Sequence, residues 1–272
     1  MIILPVVGMA LMGLVIVFLL RPSPSTEGFQ ADIPAELSAL EPEDDPRDLP
    51  WIASWSPADR AARKGHICAV TYTEEGPYGT TIQTVSKTCE EGMAHTRVGD
   101  RIIIPDSIPL PHRDQTIRHE LFHIYQRRNP DAWRTFYRRS WSFQFADAPP
   151  TGMPAAVVQA RRANPDTWDP ATGGPWTVWQ GRYWPVPIYT NAQEPTLRDA
   201  QTVWWDDWRQ EVLAFPPAAW SAFFGSPTQT EHPHELAATY LTADDRSTEA
   251  GRRAHDWWEA NRHTLTTPVS PD

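Results

Sequence analysis

The stretch "TIRHELFHIYQRRNPD", residues 116–131, places His119 and His123 four residues apart, with Glu120 directly after the first histidine. Ile117, Leu121 and Ile124 recur at the i, i+4, i+7 spacing of an amphipathic helix. The helix is expected to stop before Asn129-Pro130, because the residue preceding a proline avoids helical backbone. Side chains four apart stand on one helix face, so the two imidazoles aim at a common point. Thr116 and Gln126 share that polar side, while Leu121 and Ile124 turn toward a core. Zinc takes neutral imidazole nitrogens at about 2.0–2.1 Å in a tetrahedral array. Two histidines on one helical turn supply half of such a shell, and Glu120 stands where a carboxylate polarises a bound water. The pattern points to a metal site; its other reading is a pair of histidines on a solvated helix.

Working outward, the runs "HICAVTYT" (66–73) and "GTTIQTVSKTC" (79–89) are β-branched and partly alternating, and the turn between them predicts a hairpin. "TRVGDRIIIPDSI" (96–108) predicts a third strand, broken by Pro105. Ahead of these, Ser56 and Pro57 have the chemistry of an N-cap and a first helical residue. After the histidine helix, "PDAWRTFYRRSW" (130–141) predicts a second helix, and residues 146–200 are loop-rich. Within them "WTVWQGRYWPVPIYT" (176–190) reads as a pair of strands or an extended segment. "LRDAQTVWWDDWRQEVLAF" (197–215) reads as partly helical, followed by helices in "PPAAWSAFFG" (216–225), "HPHELAATYL" (232–241) and "STEAGRRAHDWWEANRH" (247–263), the last capped by Ser247.

Composition narrows the function class. The net charge of −10 over 272 residues disfavours a nucleic-acid partner, which would need a basic stripe. The 28 prolines imply many short elements and loops. Seven of the 14 tryptophans fall between Trp168 and Trp208, where they either pack a loop-rich core or line a cleft, a glycan-stacking surface or a membrane face. Cys68 and Cys89 lack metal-knuckle spacing; they form either a disulfide, in an oxidising compartment, or two buried thiols. Residues 2–20, "IILPVVGMALMGLVIVFLL", carry no charge and are long enough to span a bilayer. This predicts a transmembrane anchor over 1–21, an acidic, proline-rich linker over 22–49 and a folded domain over 50–272. Arg21 favours a cytoplasmic C-terminal side by the positive-inside rule, but a large domain behind a signal anchor is expected outside the cytoplasm. His66, His95, His112, His255 and His263 have no partner spacing, and no serine elbow or phosphate-binding glycine loop is present.

"HELFH" on an amphipathic helix after a small sheet resembles the zincin superfamily of zinc metallopeptidases. The resemblance implies a Zn2+ cofactor held by His119 and His123. It implies Glu120 as general base and proton shuttle in peptide-bond hydrolysis by a zinc-activated water. The metzincin continuation is absent, since Gln126 and Asn129 stand where its glycine and third histidine would be. A gluzincin-like third ligand on a later helix is best matched by Glu235, followed by the small Ala237 and Ala238; His232 and His234 compete for the role. Thr239 stands where gluzincins often carry a supporting acid. Tyr189 and Tyr240 are candidate oxyanion donors that nothing separates from packed core tyrosines.

These readings combine into an α+β, zincin-like fold: a small sheet, the active-site helix, a mostly helical second lobe and one N-terminal transmembrane helix. The expected function is that of a membrane-anchored zinc peptidase acting on a peptide or protein substrate. The alternatives are a non-catalytic zincin-fold subunit of a membrane complex and a cell-wall or glycan-binding protein. A closed metal cleft would favour the first alternative, and exposed coplanar tryptophans the second.

Overall fold

The computed structural model describes residues 46–66, 68–168, 176–191, 193–226 and 229–267. Two short helices, α1 (Leu49–Ala53) and α2 (Pro57–Ala62), precede a four-stranded sheet of β1 (Val70–Glu75), β2 (Thr81–Val85), β3 (His95–Arg97) and β4 (Arg101–Pro105). Ser56 caps α2 as expected, in a reciprocal pair with Asp59. The sheet order is β1-β2-β4-β3. The β1–β2 hairpin is antiparallel, as the turn between them predicts, and β2 runs parallel to β4. The run 96–108 is two strands, not one, because Gly99 at positive φ turns β3 back on β4. Alternation then separates two cores. Ile102 and Ile104 face the main core, while Ile103 packs with Val85 and Cys89 on the other face.

Helices α3 (Leu110–Arg128) and α4 (Pro130–Ser140) follow. α3 ends at Asn129, where Pro130 opens the next helix. The chain then makes β5 (Phe143–Ala146), α5 (Ala155–Gln159), β6 (Trp176–Trp179), β7 (Tyr183–Tyr189), β8 (Ala200–Asp206) and β9 (Glu211–Leu213). Helices α6 (Ala218–Phe224), α7 (Pro233–Ala243) and α8 (Glu249–Leu265) close the domain. The α8 N-cap is Thr248, one residue beyond the expected Ser247.

The α+β class stands, but the expectation of a mostly helical second lobe is overturned by a five-stranded antiparallel meander, β5-β6-β7-β8-β9. The run 197–215, read as partly helical, has one 3-10 turn at Leu197–Asp199 and is otherwise built on β8 and β9. The clustered tryptophans mislead there: Trp204 and Trp205 pack on opposite faces of β8, in different cores, as strand neighbours do. The predicted transmembrane helix over 2–20 lies outside the described residues, as does most of the 22–49 linker. No helix among the described residues is long and apolar enough to cross a membrane.

Two prolines in β7 shape the approach to the site. β6 pairs with β7 only at Trp179–Tyr183, whereas β8 pairs along the whole of β7. Beyond Tyr183 the side that β6 has left is taken by residues 160–162: Arg162 N–H donates to Pro187 O at 2.8 Å, and Tyr189 N–H donates to Ala160 O at 3.0 Å. Pro185 and Pro187 stand at alternate positions on that side, where a proline removes ladder donors and ends strand pairing. The segment that takes the place of β6 is the one that goes on to Asn164 and Asp166.

The main core joins both sheets through aromatic side chains. Trp133, Trp141, Trp179, Trp204 and Trp220 are all at most 2% exposed, and Trp208 is the one exposed tryptophan of the 14. This bears out the core-packing reading of the tryptophans. Cys68 and Cys89 are disulfide-bonded, closing a 21-residue separation. A Cys68→Ala/Cys89→Ala double variant is expected to lose about 3 kcal/mol, the loop-closure contribution for such a span, as measured by urea unfolding against the oxidised wild type.

Candidate metal centre

α3 carries its histidines inward. His123 and Glu120 are 1% and 3% exposed, and Gln126 on the same face is 1% exposed. α7 approaches closely because Ala237 and Ala238 are small and fully buried. The packing brings Glu235 to both histidines. His119 Nε2 lies 3.1 Å from His123 Nε2, and Glu235 Oε2 lies 3.4 Å from the first and 3.6 Å from the second. A tetrahedral zinc with bonds near 2.0–2.1 Å has ligand–ligand edges of about 3.3–3.4 Å. The three atoms are therefore spaced close to the edges of such a tetrahedron.

Neighbouring groups set the protonation of the trio. His123 Nδ1–H donates to Gln126 Oε1 at 2.9 Å, leaving Nε2 to face the centre. Gln126 is itself held by donating Nε2–H to His234 O at 3.0 Å. Burial works to lower the His123 pKa, but Glu235 and Asp166 outweigh it and raise it to about 10. Burial likewise opposes the charge on Glu235, and the two histidines overcome it and hold this carboxyl well below its ordinary range.

Among the described residues, His232 and His234 do not join the histidine–glutamate group. His232 caps α7, its Nδ1 accepting from His234 N–H at 3.2 Å, and burial depresses its pKa to about 3. The tyrosine candidates also have structural partners: Tyr189 donates to Asp59 at 2.6 Å, and Tyr240 donates to the Phe224 carbonyl. Thr239, partly buried on α7, makes no hydrogen bond to the centre among the described residues.

Two residues of the site come from a loop that sequence reasoning passed over. Asp166 lies beside Glu120 and His123, with ligating atoms of all three within 4.8 Å of one another. Asp166 Oδ1 accepts from Thr96 N–H at 2.6 Å and Thr96 Oγ1–H at 2.8 Å. Asn164 Nδ2–H donates to Glu235 Oε1 at 2.6 Å. The local signal was present, since Asn-Pro-Asp favours a turn in which Asn164 Oδ1 accepts from Asp166 N–H, here at 3.0 Å. Its meeting with α7, 71 residues further on, had no local signal. Burial raises the Glu120 pKa well above its ordinary value, and Asp166 adds to the effect. A cation at the histidines would act in the opposite direction.

The centre opens on a cavity of about 660 Å³, lined among others by Met93, Ala94, His119, Glu120, Arg162 and Arg198. The His119 side chain keeps 19% exposure. Comparison with family models, with curated proteins and with solved structures finds no match for this chain.

The raised His123 pKa has a measurable consequence. Its proton stabilises the metal-free fold fully below the ordinary value of 6.5, and this contribution is lost as pH rises through about 10. Zinc must displace that proton, so its apparent affinity is expected to rise about tenfold per pH unit between about pH 7 and 9, read by chelator competition. A flat profile would contradict the assignment of His123 as a ligand.

Proposed function

We propose that this chain is a zinc-dependent peptidase with a gluzincin-like centre: His119, His123 and Glu235 hold the metal and Glu120 is the general base. The observation that carries this reading is the mutual spacing of 3.1, 3.4 and 3.6 Å among the three ligating atoms, which come from two separate helices. A bound zinc would supply Lewis-acid polarisation of a carbonyl and acidify a water at the open position.

The protein's own groups do the rest. Glu120 accepts a proton from the attacking water and returns it to the leaving amine. Burial and the neighbouring Asp166 raise the Glu120 pKa, which favours the proton on Glu120 once it has been accepted. Gln126 keeps His123 in the tautomer that offers Nε2. The cavity beside His119 is large enough for several residues of an extended peptide, and its openness speaks against a plugged, purely structural centre. We also infer that the domain works outside the cytoplasm, a reading supported by the Cys68–Cys89 disulfide.

Glu120→Gln is expected to retain about one zinc per chain and lower peptide hydrolysis by at least about a thousandfold, whereas Glu235→Ala is expected to lose the zinc. Metal analysis beside a fluorogenic peptide screen checks both. Hydrolysis persisting in Glu120→Gln would refute the general-base role.

A further inference from the structure

The two oxygens of Glu235 are used differently. Oε2 faces His119 and His123, while Oε1 accepts the 2.6 Å hydrogen bond from Asn164 Nδ2–H. The orientation of that amide is not free. Asn164 Oδ1 accepts from Asp166 N–H at 3.0 Å, and a backbone N–H can only donate, so Nδ2 is the atom left to meet the carboxylate. The backbone around it is anchored on both sides. Ala163 N–H donates to Asp59 Oδ2 at 2.8 Å, Ala163 O accepts from Arg63 Nη2 at 2.8 Å, and Asn164 O accepts from Thr167 Oγ1–H at 3.0 Å.

We propose that Asn164 is the positioning residue of the metal carboxylate: by occupying Oε1 it makes Glu235 a one-oxygen ligand and fixes that oxygen against the two histidines. The proposal rests on the metal reading above and adds a residue to it. A carboxylate without this donor is free to rotate and offer both oxygens to a cation, filling the position that water or substrate needs. The entropy of that freedom is also lost at each binding event, which weakens affinity.

Asn164→Ser separates this role from the turn. Serine keeps an oxygen that can accept from Asp166 N–H, and it is too short to reach Glu235. Chelator competition at about pH 7.5 is expected to show zinc bound about 10- to 100-fold more weakly than by wild type, while the metal-free variant still unfolds cooperatively with its thermal midpoint lowered by no more than the loss of one buried hydrogen bond. Zinc affinity within about twofold of wild type would overturn the proposal. A second measurement needs no variant: Co2+ loaded into the wild-type protein is expected to give the intense visible bands of a four-coordinate ion. Weak bands of a higher-coordinate ion would overturn the one-oxygen assignment. Wild-type protein that holds neither metal would overturn the metal reading and this proposal with it, whereas a zinc-loaded wild type beside an unaffected Asn164→Ser would overturn this proposal alone.

Discussion

Two imidazole nitrogens 3.1 Å apart, facing one carboxylate oxygen in a buried pocket, require a positive charge among them. A proton on His123 is one such charge: Glu235 and Asp166 outweigh burial and raise its pKa to about 10. Much of the surrounding architecture follows from holding these atoms together against their own desolvation. α3 and α7 must lie close, and Ala237 and Ala238 allow it. The spare hydrogen-bonding atoms of the trio must be engaged, and Gln126 and Asn164 engage two of them.

The supports extend to the edge of the domain. Asn164 is carried on a backbone tied to Asp59 and Arg63 of the α2 region. Arg63 also grips Glu90, with two contacts of 3.0 and 3.1 Å. Burial opposes the Glu90 charge, but Arg63 and Arg97 hold its pKa down at about 2. Glu90 follows Cys89 in a segment that turns through positive φ at Glu90, Glu91 and Gly92 before Met93 and Ala94 reach the cavity wall. Buried ion pairs of this kind contribute little net stability, because desolvation offsets attraction. Their geometric effect is larger: the N-terminal helices, the disulfide-linked turn and the Asn164 loop are held in one register.

The parts of this arrangement differ in how far the sequence announces them. The α3 helix, its end at Asn129 and the inward pair of histidines are periodic, local features, and they are where the pattern places them. Glu235 was reachable by comparison with a family pattern, and its α7 helix lies where the local signals put it. The meander was not legible: "TVWWDDW" mixes aromatic and acidic residues in a way that fits a helix face as well as a strand, and only pairing with β7 decides between them.

By itself the sequence determined that a helix would present two imidazoles and a carboxylate on one side, because a 3.6-residue period is a property of the backbone and needs no partner. It also determined that any strand holding Pro185 and Pro187 would lack two backbone donors. The tertiary structure decided that the atom brought to the two histidines is Glu235 Oε2 and not a ring nitrogen of His232 or His234. It also decided that Asn164 and Asp166 complete the surroundings. These outcomes depend on which buried polar atoms find partners across 70 or 71 residues of chain, a constraint satisfied only when the whole domain has closed around them.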